Sequence, residues 1–257
     1  MHDFEKKLDW ARQHLRIVQE SFRDFLGSDG YSVEIEYHRE QRQYVARIRA
    51  AKPVPDAWSL MVGDVVHNIR SALDALTHQL SMKHTPGLTE RQIVDIQFLI
   101  CETDVEFSSP RGQRRLAHVH PDVRTAMRGL QPYHGQHGAG ASPLSVLRDL
   151  SNIDKHRHLV LSDIILQGTS TFFSPPNGPK RYRSSDYAGP FVDGAIVGQW
   201  PELGEGLDPC MHMDPNVVVD IAFGQGTPAP NRSVRRTIEQ IIAHIEVYVV
   251  AVLRPFL

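Results

Sequence analysis

The sequence predicts an α+β fold, a bundle of about four long helices with a small, mostly antiparallel sheet, on three observations. Apolar residues recur with helical periodicity over about 3–26, 57–82, 142–157 and 231–254. Period-two alternation occupies about 31–50 and 158–224. The last helical seam, like the first, needs a helical partner, so the two ends are expected to meet within a single domain spanning 1–257.

In the first helix Phe4, Leu8, Ala11, Leu15, Val18, Phe22 and Phe25 form one stripe, which Gly27-Ser28-Asp29-Gly30 ends. Tyr31, Val33, Ile35 and Tyr37 then alternate with polar residues, as do Tyr44, Ala46 and Ile48 beyond a polar stretch at 39–43, which reads as a β-hairpin. Pro53-Val54-Pro55-Asp56 breaks the chain, and Asp56 is expected to N-cap the second helix. There Val62, Val66, Ile69, Leu73, Leu76 and Leu80 fall within about 40° of one line at about 100° per residue, the buried seam. His67, Ser71, Asp74 and His78 make a second line on the far side, with Arg70 between the two.

Residues 85–143 are less regular, with an apolar run at 96–100, a helix expected over Pro121–Gly129 and a flexible stretch at 135–140. His118, His120, His134 and His137 fall there, but no pair has the i, i+4 spacing of a helical zinc motif, which favours loop histidines over a metal centre. Ser142 caps a helix running through Arg157. After His158 the period becomes two at 159–161, 164–166, 171–173, 195–197 and 217–223, and the basic cluster Lys180-Arg181-Tyr182-Arg183 reads as a solvated loop. Ser233 opens the last helix, with Val234, Ile238, Ile241, Ile245, Val249 and Val252 as its seam.

Composition excludes several function classes. Hydrophobic residues at 41% and charged ones at 23% are ordinary for a globular protein, and no apolar run approaches the roughly 20 residues of a membrane span. The start carries no readable signal or transit peptide, so a cytoplasmic location is expected. Cys101 and Cys210 are too few for a disulfide framework. A net charge of -2 argues against bulk electrostatic capture of nucleic acid, though not against a local basic patch. No Gly-rich loop joins a strand to a helix, and no Gly-x-Ser-x-Gly elbow is present, so dinucleotide, P-loop and common acyl-transfer chemistry are poor fits; no cofactor is assigned.

The chemistry concentrates in two helical segments, 63–74 and 152–157, where ionisable groups enter apolar periodicity. Val146, Leu147, Leu150 and Ile153 define the apolar face of the third helix, and wheel arithmetic puts Asp154 and Arg157 on it as well. Buried charges require partners, so these two are expected to pair with each other or with Arg70 and Asp74.

The segments Gly63-Asp64-Val65-Val66-His67-Asn68-Ile69-Arg70-Ser71-Ala72-Leu73-Asp74, Leu130-Gln131-Pro132-Tyr133, Pro143-Leu144 and Asn152-Ile153-Asp154-Lys155-His156-Arg157 resemble a family of uncharacterised bacterial proteins over roughly residues 55–160. That resemblance implies no activity. A second resemblance is to HEPN domains, helical bundles whose ribonuclease members carry Arg-x4-6-His on a helix, often with a polar residue after the arginine. Arg70 matches the arginine and Ser71 the polar residue, but the histidine window holds Ala75, Leu76 and Thr77; His78 comes one residue late, about 80° around the helix from Arg70. The resemblance implies a bundle facing RNA or a nucleotide more than it implies cleavage.

Three readings follow. In the first, the chain is a HEPN-like RNA- or nucleotide-binding protein, or a metal-independent ribonuclease of a defence or toxin system. Arg70, His156 and His67 are then its catalytic candidates, and Asn68, Asp74, Asp154, Lys155 and Arg157 its binding residues. In the second, it is a non-catalytic interaction or structural protein whose charged cluster locks the bundle. In the third, a metal-dependent hydrolase uses Asp74, His78, Asp154 and His156. RNA or a nucleotide is the expected partner, a homodimer is compatible with the pattern, and a membrane is not.

Overall fold

The computed structural model describes residues 2–27, 31–50, 54–135, 139–173, 180–183, 193–201 and 213–257. The chain runs α1 (Asp3–Gly27), β1 (Tyr31–His38), β2 (Gln43–Ala50), α2 (Ala57–His84), then four short helices, α3 (Glu90–Asp95), α4 (Asp104–Ser108), α5 (Pro110–Arg115) and α6 (Pro121–Gly129). It continues through α7 (Pro143–His156), β3 (Leu161–Phe173), β4 (Lys180–Arg183), β5 (Ile196–Pro201), β6 (Met213–Phe223) and α8 (Val234–His244), which extends through a π-helical stretch, Ile245–Val250, to a last turn, Ala251–Leu253. The fold is α+β. Of the four helices expected to be long, α1 and α2 span 25 and 28 residues, α7 spans 14, and the last is interrupted.

The α1 stripe from Phe4 to Phe22 is buried, and Phe25 packs partly against Trp58 of α2. The seam of α2 is buried throughout, and α2 packs against both α1 and α7. Asp56 departs from the expected N-cap: its backbone is already helical (φ -57, ψ -30) and its side chain makes no capping bond, because the Trp58 N–H donates to the Pro55 carbonyl and starts the turn earlier. Ser142 and Ser233 do cap, accepting from the Leu144 and Arg236 N–H groups.

The terminal helix corrects one seam residue. Val234, Ile238, Ile241, Ile245 and Val249 are buried, but Val252 is 43% exposed and Leu253 takes its place in the core. The π-helical stretch supplies the cause, since its i→i+5 bonding inserts a residue and advances the buried face by one position. The two ends of the chain do meet: α1 packs on α8, and Arg254 and Arg12 pair with Glu5 and Glu246.

The strands form two three-stranded sheets, ordered β1-β2-β5 and β4-β3-β6, with every described pairing antiparallel. The expected hairpin is the β1–β2 pair, in register from Tyr31↔Ala50 to His38↔Gln43, and Arg42 at its turn adopts a positive φ of 47°. Lys180-Arg181-Tyr182-Arg183, expected as loop, is strand β4 paired to β3. Cys210 and His137 lie outside the described residues.

Between α2 and α7 the irregular region resolves into caps. Thr89, Thr103 and Ser109 open α3, α4 and α5, with Thr89 and Gln92 forming a capping box. The apolar run 96–100 is neither helix nor paired strand, yet Phe98, Leu99 and Ile100 are buried in the core. No helix among the described residues is long and apolar enough to cross a membrane.

Candidate functional site

A buried segment without a sheet must satisfy its main chain elsewhere, and 96–101 does so with side chains. The Phe98 N–H donates to Asp74 Oδ1 (2.9 Å), and the Phe98 carbonyl accepts from Arg70 Nη2 (2.7 Å). On the next residues the partner changes: Gln131 Nε2 donates to the Leu99 carbonyl (3.0 Å), and Gln131 Oε1 accepts from the Cys101 N–H (2.8 Å). Bonds that alternate between α2 and Gln131 from one residue to the next have the period of two of an extended chain. Arg70 and Asp74 also pair directly, at 3.1 Å.

This segment forms one wall of a cleft of about 880 Å³. Arg70 lines it, α5 contributes Arg111 and Arg115, and α7 contributes Arg148, Asn152, Lys155 and His156. The α5 arginines share a face because they lie four apart. Their helix is held tight against α4: a Cβ at Gly112 would stand 2.7 Å from the Phe107 carbonyl oxygen, and the Ser109 hydroxyl accepts from the Gly112 N–H.

The cations of the cleft differ in how they are compensated. Arg148 is committed to Glu102 and Asp149, both at 2.7 Å, and its bond to Asp149 first of all drives its pKa upward. Arg111, Arg115 and Lys155 form no salt bridge with a carboxylate among the described residues. Arg70 is only 14% exposed, and its Nη1 is buried with no hydrogen-bond partner among the described residues. Burial lowers the Arg70 pKa, Asp74 opposes the shift, and Arg115 adds to it. Arg115 is lowered by its own burial and then by Arg111. These guanidinium groups repel one another across the cleft, and an anion placed between them would relieve that repulsion. Cys101 also lines the cleft, but burial pushes its thiol up to about 11, which leaves it protonated at neutral pH.

Other sequence candidates fall elsewhere. Asp154 lies about 160° around α7 from Asn152, and its half-buried carboxylate stands against α2 where residue 63 has no side chain; a Cβ at Gly63 would collide with it. Burial raises the Asp154 pKa, His67 and His158 pull it back, and Asp64 adds to the rise. His67 is exposed and does not line the cleft. Asn68 spends its amide on its own helix, donating to the Asp64 carbonyl (2.8 Å). Arg157 corrects the expected core-facing pair with Asp154: α7 ends at His156, Arg157 turns into extended backbone (φ -163, ψ 161), and its side chain is exposed. A helical wheel does not apply beyond the last helical residue.

Arg70, Lys155 and His156 are thus brought to one cleft, Asp74 supports Arg70 from behind, and His67 and Asp154 share a separate edge. Sequence reasoning missed Arg111, Arg115 and Arg148. Arg111, Arg114 and Arg115, three arginines within five residues, were the available signal, in a region that periodicity leaves unassigned. Among the described residues no group of three or more His, Cys, Asp or Glu side chains converges as a metal site, and His78 is absent from the cleft lining. No family model, curated protein or solved structure matches this chain.

Proposed function

We propose that this protein binds the phosphate of RNA or of a nucleotide in the cleft between α5, α7 and the 96–102 segment. The observation that carries the reading is the buried Nη1 of Arg70, unpartnered among the described residues, in a cleft that Arg111, Arg115 and Lys155 also line, so that its five cations outnumber the carboxylates of Glu102, Glu106 and Asp149. A guanidinium fork suits phosphate oxygens, and its energy is greatest where water is excluded. In a chain of net charge -2, this local patch supplies what the bulk composition lacks.

His156 lines the same cleft and is exposed, so proton transfer during any RNA cleavage falls to it rather than to His67 or His78. The reaction would be metal-independent: His156 accepts the 2′-hydroxyl proton as the 2′-oxygen displaces the 5′-oxygen of the next nucleotide, leaving a 2′,3′-cyclic phosphate, the 5′-oxygen takes a proton from solvent, and the arginines stabilise the negative charge on the non-bridging phosphate oxygens. This keeps the HEPN-like reading of Arg70 and moves its histidine to another helix.

The test is binding of a fluorescent single-stranded RNA and of ATP at low salt, with Arg111→Ala and Arg115→Ala as variants. Each variant should weaken binding, and the slope of log affinity against log salt should fall by about 0.7 for each phosphate of a single-stranded RNA that the variant no longer neutralises. His156→Ala should leave binding intact and remove any cleavage. Absence of binding at low salt, or binding indifferent to both arginines, defeats the proposal.

A second reading has its own observation: Arg70 and Asp74 together clamp the Phe98 peptide, which is what a structural lock would do. Under that reading the chain is a non-catalytic interaction or structural protein, and removing Arg111 or Arg115 changes no ligand affinity.

A further inference from the structure

The extended wall of the cleft carries an open main-chain position. On the α2-facing side of this segment, Phe98 has both groups taken, its N–H by Asp74 and its carbonyl by Arg70. At the far end, the Glu102 N–H donates to Glu106 Oε2 at 2.8 Å. Ile100 lies between them and shares the orientation of Phe98, since N–H and C=O of alternate residues in an extended chain point to the same side. Neither its N–H nor its carbonyl has a partner among the described residues, although the residue is 9% exposed and lines the cleft. A ligand entering the cleft therefore meets a main-chain donor and acceptor side by side on one residue, with no protein group among the described residues competing for either.

Resting on the phosphate reading above, we propose that Ile100 takes the hydrogen-bonding edge of an unpaired nucleobase whose phosphate lies among Arg70, Arg111 and Arg115. The size of the open edge selects the ligand class. An added peptide strand needs a run of free N–H and C=O groups, and here both groups of Phe98 are taken on one flank, while on the other the Glu102 N–H is taken and the chain bends. A base needs one donor beside one acceptor, which every Watson–Crick edge presents and which a base in a duplex does not leave free. The Phe98 peptide held by Arg70 is about 7 Å from the Ile100 peptide along an extended chain, so the phosphate and base positions adjoin without coinciding. The site therefore favours single-stranded RNA or a free nucleotide over a duplex.

The experiment is calorimetric titration of the full chain with inorganic phosphate, ribose 5-phosphate and the four ribonucleoside 5′-monophosphates at low salt. At least one nucleotide should bind about tenfold or more tighter than ribose 5-phosphate, as two added hydrogen bonds imply. Methylating the Watson–Crick edge of the tightest nucleotide should return its affinity to that of ribose 5-phosphate. Arg115→Ala should weaken every phosphate ligand by a similar factor and leave the ratio of nucleotide to ribose 5-phosphate unchanged.

Equal affinity for ribose 5-phosphate and all four nucleotides, or indifference to methylation of the base, overturns the base-edge proposal while leaving phosphate binding in place. No binding of any of these probes overturns both. Tight binding of an acidic peptide with none of the nucleotides would also overturn it, assigning the cleft to a protein partner.

Discussion

Along the edge of α7 that carries Asn152 and Lys155, cations gather around a guanidinium tied to a main-chain carbonyl; along the edge that carries Asp154, one carboxylate rests against the bare backbone of α2 at Gly63. Both arise from the same sequence signal, charge inserted into apolar periodicity. Their physics differs. Arg70 is bound to Phe98 and Asp74, and its buried Nη1 has no partner among the described residues, whereas Asp154 stands where Gly63 has no side chain and is held by nearby imidazoles. Among the described residues Arg70 thus leaves a buried donor unmatched, which the proposed phosphate would satisfy, while the Asp154 carboxylate is partly solvated.

The largest effect separating the two edges should come from Arg70→Ala. It removes the donor to the Phe98 carbonyl and strands Asp74, and breaking a buried pair of this kind costs about 3 kcal/mol, toward the lower end because Asp74 is 34% exposed. Urea unfolding should show a lowered midpoint with little change in slope. An unchanged midpoint would mean that the 96–101 segment does not depend on its clamp. Arg70 is accordingly the wrong residue for a pure binding test, and Arg111 and Arg115 are the right ones: burial and mutual repulsion both disfavour the Arg115 charge, so Arg115→Gln should leave stability unchanged or raised.

Gly63→Ala should have the next largest effect, on the other edge. Alanine in place of glycine gains about 1 kcal/mol of helix propensity, but here its methyl enters the space of the Asp154 carboxylate, and overpacking costs typically about 1–3 kcal/mol. A net destabilisation of about 1 kcal/mol is expected. Combining it with Asp154→Ala should recover the propensity gain, because the collision then has no second partner; purely additive effects in the double-mutant cycle would show that the two residues do not touch.

These contrasts explain what is legible in the sequence. The seams of α1 and α2, the caps at Ser142 and Ser233 and the β1–β2 hairpin follow from local periodicity and capping, and the structure has them. Val252 departs from its seam because an inserted π-helical residue shifts phase without leaving a mark in composition. Arg157 departs from its face because helix termination decides direction and a wheel assumes the helix continues. Within the site, Arg70, Lys155 and His156 are readable as charges on helices, yet nothing in α2 or α7 indicates that α5 delivers Arg111 and Arg115 to the same cleft, since that depends on the tight α4–α5 corner at Gly112. The Ile100 peptide is wholly illegible: it is main chain, and only the partners of Phe98, Leu99 and Cys101 expose its freedom.

The smallest effect sharpens the comparison most, because the two edges predict opposite signs. If Asp154 were the locked partner of a buried cation, as its place on the wheel suggests, neutralising it would destabilise the fold by several kcal/mol. In its actual place burial raises its pKa above the usual aspartate value of 3.8, so the folded state holds the proton more tightly than the unfolded chain does. Such a group penalises folding once pH exceeds the folded-state pKa, and the penalty vanishes as pH falls below the ordinary value. Asp154→Asn, which keeps the shape and removes the charge, should therefore raise the melting temperature at pH 7 by a small amount, since the carboxylate is only partly buried. The advantage should shrink as both proteins are measured at progressively lower pH and vanish below the ordinary aspartate value, where the carboxyl is protonated in the folded and the unfolded chain alike. A lowered melting temperature at pH 7, or a difference independent of pH, would return Asp154 to the role of a salt-bridged lock and make the two edges of α7 alike.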